Sequence, residues 1–108
     1  MTIFEQIQEV LKEKKGSQVT STEIKEELNA KYGTKKSSIL LSDYCYNRTN
    51  TGIKFKKETR IFEYIERNTY KYLGVGYPYT GKIIQKPIGG KAEIIVSEWI
   101  NGNSDFPG

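Results

Sequence analysis

The chain has 108 residues, of which 36% are hydrophobic, 28% are charged and 12% are aromatic. This length allows one modest core, and the aromatic content argues against disorder. The sequence has no histidine and a single cysteine, Cys45, which excludes an internal disulfide, a zinc site of the His/Cys type and a Ser-His or Cys-His catalytic pair. Because the acidic residues are also scattered, we expect no enzymatic activity, no metal and no cofactor.

The positive charge is concentrated in the middle of the chain. The net charge is −1 over residues 1–33, +5 over residues 34–74 and 0 over residues 75–108, which gives the overall +4. A localised basic stretch is expected of a phosphate-binding surface, and equally of a solvated surface without a partner. No apolar run is long enough to cross a membrane, and the N-terminus lacks the features of a signal peptide. Together with the free thiol, these features favour a cytoplasmic location and no membrane partner.

Two helices are predicted in the first third of the chain. A capping-box spacing, in which threonine is followed three residues later by glutamate, occurs twice, each time before apolar residues at helical spacing. The first box predicts a helix over residues 3–15 that stops at Gly16. The second, with Gly33 as a left-handed stop, predicts a helix over residues 21–32. The boxes are Thr2 with Glu5 and Thr20 with Glu23.

A third helix is predicted from Lys36 or Ser37 to Tyr46, after a short polar turn. One face carries apolar residues at helical spacing and is assigned to the core. Cys45 belongs to that face, and no base is available to activate its thiol, so we interpret it as a small core residue. Two helices joined by a short turn predict a helix-turn-helix. The core face holds Leu40, Leu41, Tyr44 and Cys45, and another face holds Ser38, Ser42 and Tyr46.

A β-hairpin is predicted after these helices. The stretches RIFEYIER (60–67) and TYKYLG (69–74) alternate with a period of two and are rich in aromatic and β-branched residues. Asn68, between them, can take the positive φ of a tight turn. Three helices followed by a hairpin with basic flanks have the element order of a winged helix-turn-helix.

The last third of the chain reads as two further strands. One lies between Pro78 and Pro87, and the other carries Trp99 near its end. We therefore predict an α+β fold. It consists of a winged helix-turn-helix with three helices and a hairpin wing over residues 1–74, and of a C-terminal β extension over residues 75–108 that packs on the same domain.

Three blocks of the sequence resemble a bacterial domain family of unknown function. The blocks are SILLSDYCYNRTNTG, IFEYIERNTYKYLG and YPYTGKI. The resemblance covers roughly residues 36–83, and the order of the tyrosines and the SDYCYNR block carry it. The family occurs as small stand-alone proteins and as modules near restriction-type endonucleases. The resemblance implies a winged-helix fold and a role at DNA, without an established activity. More broadly, the helix and hairpin order looks like winged helix-turn-helix DNA-binding domains.

Candidate DNA contacts follow from this element order. The start of the second helix of a helix-turn-helix enters the major groove, and the wing contacts the minor groove or the backbone. Asparagine and arginine of NRTNTG can pair with base edges, although asparagine also ends helices. Lysines are expected to anchor phosphates, and the alternative for each is a solvated charge. The predicted DNA-binding residues are Lys35, Lys36, Ser37, Ser38, Ser42, Tyr46, Asn47, Arg48, Asn50, Lys54, Lys56, Lys57, Arg60, Arg67 and Lys71.

Several residues complicate a simple DNA reader. Asp43 lies inside the predicted third helix, and Glu63 and Glu66 lie in the hairpin near the basic face. The aromatic loop GYPYTG (76–81) can provide a pocket for a base, a protein contact or packing against the sheet, of which packing is the simplest reading. Phe55 is assigned to the core rather than to base stacking.

Two functions from different classes remain open at this level. The first is a non-enzymatic module that binds double-stranded DNA through the recognition helix and the wing, as a transcription regulator or an accessory of a restriction or defence system. The alternative is a protein-interaction or homodimerisation domain that uses the same scaffold and the aromatic C-terminal strands. A nuclease fragment is the weakest reading, because no carboxylate constellation is present. Fold alone does not decide among these functions.

Overall fold

The computed structural model describes residues 1–50, 57–86 and 92–104, except for the side chains of Asn50, Lys57 and Lys86. These residues form two α-helices, three short 3-10 helices and seven strands in two sheets. The helices are α1 (Ile3–Leu11) and α2 (Ser21–Tyr32), and the 3-10 helices are Lys36–Ser38, Leu41–Tyr44 and Lys57–Thr59. The strands are β1 (Gln18–Thr20), β2 (Arg48–Asn50), β3 (Phe62–Glu66), β4 (Thr69–Tyr72), β5 (Gly81–Lys86), β6 (Ile94–Ile100) and β7 (Asn103–Ser104).

The two predicted α-helices form, and local sequence signals explain both. Each begins with a capping box in which the threonine side chain and the glutamate side chain bond each other's backbone N–H groups. Helix α2 ends at Gly33, which has a φ of +71° as expected of a left-handed cap. Helix α1 ends at Leu11 instead of residue 15, because residues 12–15 are all charged and exposed and offer nothing to bury.

The first sheet covers the two helices and has the strand order β1-β4-β3, with both pairings antiparallel. The predicted hairpin is confirmed as β3 and β4, and Asn68 has a φ of +67° in its turn. One face of the sheet packs against α1 and α2, and the side chains of β1 and β4 alternate between this buried face and the other one. This first core includes Ile7, Leu11, Val19, Ile24, Leu28, Phe62, Tyr70 and Tyr72.

The third predicted helix is wrong. Between the 3-10 helices, Ile39 and Leu40 have extended backbones, with ψ of 103° and 91°. Ile39 is fully buried, whereas Leu40, assigned to the core, is 54% exposed. The serines and Asp43 in this stretch compete for backbone hydrogen bonds, and the burial follows an extended alternation rather than a helical face.

The winged helix-turn-helix prediction is therefore wrong. The chain mixes helices with two sheets, and the described residues contain no third α-helix that could serve as a recognition helix. Three strands were also missed: β1, β2 and β7 are two or three residues long. Strands this short form because they pair with other strands, and they are too short to show an alternating pattern in the sequence.

The second sheet has the order β2-β5-β6-β7, in which β2 pairs parallel with β5 and the other pairings are antiparallel. The two predicted C-terminal strands are confirmed as β5 and β6. Strand β2 lies before the predicted domain boundary at residue 75, and its partner β5 lies after it. The division of the chain into residues 1–74 and 75–108 stays a prediction. A second core lies on this sheet and contains Tyr46, Leu73, Tyr79, Ile83 and Trp99.

The longest α-helix in the described residues has 12 residues. None of the described helices has the length and hydrophobicity needed to span a bilayer.

Candidate nucleic-acid interface

The segment from Tyr44 to Asn50 joins the two sheets. The Ile61 amide donates to the Tyr44 carbonyl, and the Tyr46 amide donates to the Phe62 carbonyl, so this segment lies along the free edge of β3. One residue further, the Ile84 amide donates to the Asn47 carbonyl at 3.0 Å, and β2 continues along β5. We call residues 44–50 the seam, because their backbone groups bond both sheets.

Asn47 is part of the seam and does not face outward as a free base reader. Its side-chain amide donates to the Tyr64 carbonyl at 3.0 Å, and its side-chain oxygen accepts from the Tyr64 amide at 2.8 Å. The side chain thus replaces a strand neighbour at the edge of β3 and satisfies two backbone groups at once. The polarity of Asn47 serves the fold in this structure.

Arg48 is also engaged within the protein. Its guanidinium forms an ion pair with Glu93 and lies 4.2 Å from the centre of the Tyr64 ring. A stacked arginine that also has a carboxylate partner is held in place, because both contacts use its planar group. A phosphate would have to displace Glu93 in order to bind here.

Arg60 is buried, with 1% of its surface exposed. Its guanidinium donates to the backbone carbonyl of Asp43, and burial lowers the pKa of Arg60 because desolvation disfavours the charge. Arg60 is therefore not available for the predicted phosphate contact. It connects the segment before β3 to the second 3-10 helix. Tyr46 was also expected on the DNA-facing side and is 2% exposed.

The buried residue Cys45 packs in the first core as predicted. Its thiol donates to the Leu41 carbonyl at 3.4 Å, and burial raises the pKa of Cys45. Its neighbour Tyr44 is half-buried against the same core, with its ring centre 5.6 Å from that of Phe4. These contacts place both side chains in a structural role.

Six of the predicted DNA-binding residues keep accessible side chains. Lys35, Lys36, Ser37, Ser38 and Arg67 are exposed, and Lys71 is half-buried. None of the three lysines nor Arg67 makes an ion pair with another residue in the part of the chain that the structure describes. We call Lys35, Lys36, Arg67 and Lys71 the free cations.

The remaining predicted residues fall into two groups. Ser42 is half-buried and has an interaction partner inside the protein. The others lie outside the described residues or have side chains that are not described. These are Asn50, Lys54, Lys56 and Lys57, together with Phe55.

Three of the free cations, Lys35, Lys36 and Arg67, lie near the ends of α2, whereas Lys71 lies in β4. At its start, the Ser21 amide donates to the Asn68 carbonyl, and the Thr22 amide and hydroxyl both donate to the Asn68 side chain at 3.2 Å. The hairpin turn, with Arg67, is thereby fixed at this end. Lys35 and Lys36 follow the Gly33 cap at the other end. A helix of 12 residues is about 18 Å long.

A cluster of four aromatic rings forms a second feature, around Tyr46. The Tyr46 ring stacks on Tyr79 with ring centres 5.1 Å apart, meets Trp99 edge-on at 5.0 Å and lies 6.4 Å from Tyr77. The Tyr46 hydroxyl donates to the Gly74 carbonyl at 2.6 Å and accepts from the Tyr77 amide at 3.2 Å. These bonds fix the Val75–Tyr77 turn over the second core.

The polar atoms of this aromatic cluster have partners inside the protein. The Trp99 indole N–H donates to the Tyr46 carbonyl at 2.8 Å, and the Tyr79 hydroxyl donates to a Glu63 carboxylate oxygen at 2.9 Å. Burial, and then the bond to Glu63, raise the pKa of Tyr79, and burial raises the pKa of Tyr46. Both hydroxyls therefore stay protonated and serve as donors at neutral pH.

A cavity of about 290 Å³ opens beside this cluster. Glu58 and Tyr77 are exposed at it, whereas Tyr46 and Trp99 are buried. The turns that shape it contain glycines with positive φ, namely Gly76 at +76° and Gly102 at +84°. We call this space the aromatic cavity, and it is lined by Tyr46, Glu58, Val75, Gly76, Tyr77, Trp99 and Gly102.

The sequence pointed to only part of this cavity. The loop GYPYTG was a candidate for a base pocket, but Glu58 and the contact of Trp99 with Tyr46 were missed. Tyr46 and Trp99 are 53 residues apart along the chain, and no local pattern connects them. The described residues hold no group of three or more His, Cys, Asp or Glu side chains placed to share a metal ion.

Comparison with known proteins finds one family whose model matches nearly the whole chain. Residues 2–106 match the model of a domain of unknown function, DUF7225. The chain is 53% identical over 102 residues to a Bacillus subtilis (strain 168) protein, Uncharacterized protein YnaC. The match covers 94% of this chain and 38% of that protein, so the chain spans less than half of its relative. No solved structure matches the chain. The chain therefore belongs to the DUF7225 family.

Proposed function

We propose that the chain is a non-enzymatic module that binds double-stranded DNA through cations near the two ends of α2. The observation that carries this proposal is that Lys35, Lys36 and Arg67 are exposed and make no ion pair with any described residue. A cation without a carboxylate partner is available to a phosphate at no cost in broken ion pairs. By contrast, Arg48 and Arg60 are held by the protein.

The placement of Lys35, Lys36 and Arg67 supports contact with a duplex. Lys35 and Lys36 follow one end of α2, and Arg67 lies in the turn that bonds the other end. A major groove is about 12 Å wide between its phosphate edges. Lysine and arginine side chains are long enough to reach both edges from such positions. The excess of positive charge over residues 34–74 adds a favourable long-range field for a polyanion. Service as a transcription regulator or as an accessory of a restriction or defence system would require duplex binding of this kind.

Titration of labelled random-sequence duplex DNA at several salt concentrations tests this proposal. Binding that neutralises three or more phosphates should weaken with salt, with a log–log slope of about −2.7 or steeper. Fluorescence anisotropy gives the affinity at each salt concentration. No binding at low salt would contradict the proposal.

Charge reversal should locate the surface. Lys36→Glu and Arg67→Glu are each expected to weaken binding severalfold or more and to make the salt slope shallower by roughly one, because each removes a phosphate contact. Lys82→Glu is the matched control, since Lys82 is exposed on β5 and its reversal changes the net charge equally. An equal effect of all three variants would show a general charge effect instead of a localised surface.

A second candidate function is self-association through β6. Of the C-terminal aromatic residues, Tyr79 and Trp99 are buried in the second core, and Tyr77 is exposed. Instead, β6 exposes Ile94, Ile95 and Ile100, at 53%, 59% and 57%. If this surface mediates a homodimer, the mass measured by sedimentation should rise with concentration, and Ile95→Lys should abolish the rise. A constant monomer mass would contradict this candidate.

A further inference from the structure

The aromatic cavity combines three aromatic side chains with one carboxylate. Tyr46 and Trp99 are buried in its wall with ring centres 5.0 Å apart, and Tyr77 keeps 41% of its surface exposed. The ring centre of Tyr77 lies 6.4 Å from that of Tyr46. The face of an aromatic ring is electron-rich and attracts cations, especially where water is partly excluded. The walls of this cavity therefore suit a cation that also has apolar surface.

The charge of the cavity lining also favours a cation. Among the described residues that line it, Glu58 alone is charged, and its side chain is exposed. Glu58 makes no ion pair with any described residue. Arg60, two residues further along the chain, is buried and donates to the Asp43 carbonyl. A carboxylate at the opening attracts a positively charged ligand and repels an anion.

The hydrogen bonds of the wall indicate a cation without N–H groups. The Tyr46 hydroxyl already donates to the Gly74 carbonyl and accepts from the Tyr77 amide. The Trp99 indole N–H is a donor and is bonded to the Tyr46 carbonyl. A primary ammonium has three donors and is strongly hydrated, and these two side chains replace little of its hydration. A quaternary ammonium has no donor to satisfy, and aromatic side chains recognise such groups.

The size of the cavity favours a compact ligand. Its volume of about 290 Å³ lies just below the range of roughly 300–1,000 Å³ that is typical of sites for drug-sized molecules. Glu58 and Tyr77 are exposed at the cavity, whereas Tyr46 and Trp99 are buried. A small molecule can therefore enter from solvent past the carboxylate and reach the aromatic wall.

We propose that the aromatic cavity binds the trimethylammonium group of a small molecule of the choline type, with Tyr77 and Glu58 as the main contacts. The ring of Tyr77 contributes a cation–π contact, and the carboxylate of Glu58 contributes charge attraction. This site uses none of the free cations. It therefore goes beyond the proposed DNA binding, and neither function requires the other.

Nuclear magnetic resonance tests this site without DNA. The chain has one tryptophan, so the indole N–H of Trp99 gives a single signal in a spectrum of ¹⁵N-labelled protein. Choline chloride should shift this signal in a saturable manner, whereas sodium chloride at the same concentration should not. The neutral isostere 3,3-dimethylbutan-1-ol has the same shape without the charge and should bind more weakly.

Substitutions at the cavity should separate the two contacts. Tyr77→Ala should weaken choline binding roughly threefold or more, and Tyr77→Phe, which keeps the ring, should bind within about twofold of the wild type. Glu58→Gln keeps the shape and removes the charge, and it should weaken binding roughly twofold to fivefold. Ile65→Ala is the control at another exposed position, which is 42% exposed, and should leave the affinity unchanged.

Four results would overturn this inference: no saturable shift with choline, equal binding of choline and its neutral isostere, an unchanged affinity in Tyr77→Ala, or an unchanged affinity in Glu58→Gln. A peptide with trimethyllysine tests the other source of the same group. Tighter binding of this peptide than of choline would overturn the choice of a small molecule. Choline binding in a protein that fails to bind duplex DNA would support this inference and contradict only the proposed function.

Discussion

Arg60→Ala is expected to lower the free energy of unfolding by about 3–5 kcal/mol, the largest loss among the single substitutions considered. The side chain is 1% exposed, so its removal leaves a large cavity in the first core. It also leaves the Asp43 carbonyl without the guanidinium that donates to it. Urea denaturation followed by circular dichroism gives the change from the midpoint and the slope.

The matched control for this prediction is Arg67→Ala. Arg67 is exposed at the hairpin turn, and exposed substitutions usually change stability by about 0.5 kcal/mol or less. Arg60→Met adds a second comparison, since it retains much of the volume and loses the donors. A loss of stability no larger for Arg60→Ala than for Arg67→Ala would show that the guanidinium is not a structural element.

Asn47→Ala is expected to lower the free energy of unfolding by about 2–4 kcal/mol. The substitution removes two hydrogen bonds at once, one to the Tyr64 carbonyl and one from the Tyr64 amide. Each backbone group left without a partner costs about 1–3 kcal/mol when it is buried. These bonds join the seam to β3, so their loss weakens the attachment of the second sheet. Differential scanning calorimetry measures the change.

Two further variants sharpen the test of Asn47. Asn47→Asp keeps an acceptor for the Tyr64 amide but brings a carboxylate against the Tyr64 carbonyl, so a comparable loss is expected. Asn103→Ala is the control, because Asn103 is exposed in β7. If Asn47→Ala and Asn103→Ala change the melting temperature equally, the side chain of Asn47 does not hold the sheets together.

Local signals predicted the parts of the fold that local interactions determine. The boxes that begin α1 and α2 and the asparagine turn of the hairpin each involve residues within a few positions of one another. The segment from Lys36 to Tyr46 has apolar residues at spacings that suit both a helix and an extended chain. Packing against the first core determines the conformation of this segment, because Ile39 and Leu41 are buried there and Leu40 is exposed.

The candidate site was harder to predict because polar residue types do not reveal whether they are buried. Asn47, Arg48 and Arg60 have the chemistry of DNA contacts, and each instead bonds a partner 17 or more positions away. The resemblance to winged helices shared this weakness, since it implied a helix over a stretch that forms two 3-10 helices and the start of the seam. Lys35, Lys36 and Arg67 were predicted to contact DNA, and their side chains are exposed. The proposed DNA-binding surface therefore consists of these residues.

There is a physical reason why the polar residues of the seam are bonded within the protein and the free cations are not. Buried polar groups are mostly hydrogen-bonded within the protein, and the seam follows this rule through its backbone and through the side chains of Asn47 and Arg48. Residues at the ends of α2 have no such requirement and remain available to a partner. The residues of the SDYCYNR block therefore have structural roles, and the proposed DNA contacts lie outside this block.

The most direct test of this account is a titration of ¹⁵N-labelled protein with random-sequence duplex DNA at low salt. We predict shifts of the amides of Lys36 and Arg67, with little change at Asn47 and Arg60. Shifts confined to the exposed isoleucines of β6, or no shifts at all, would contradict the account.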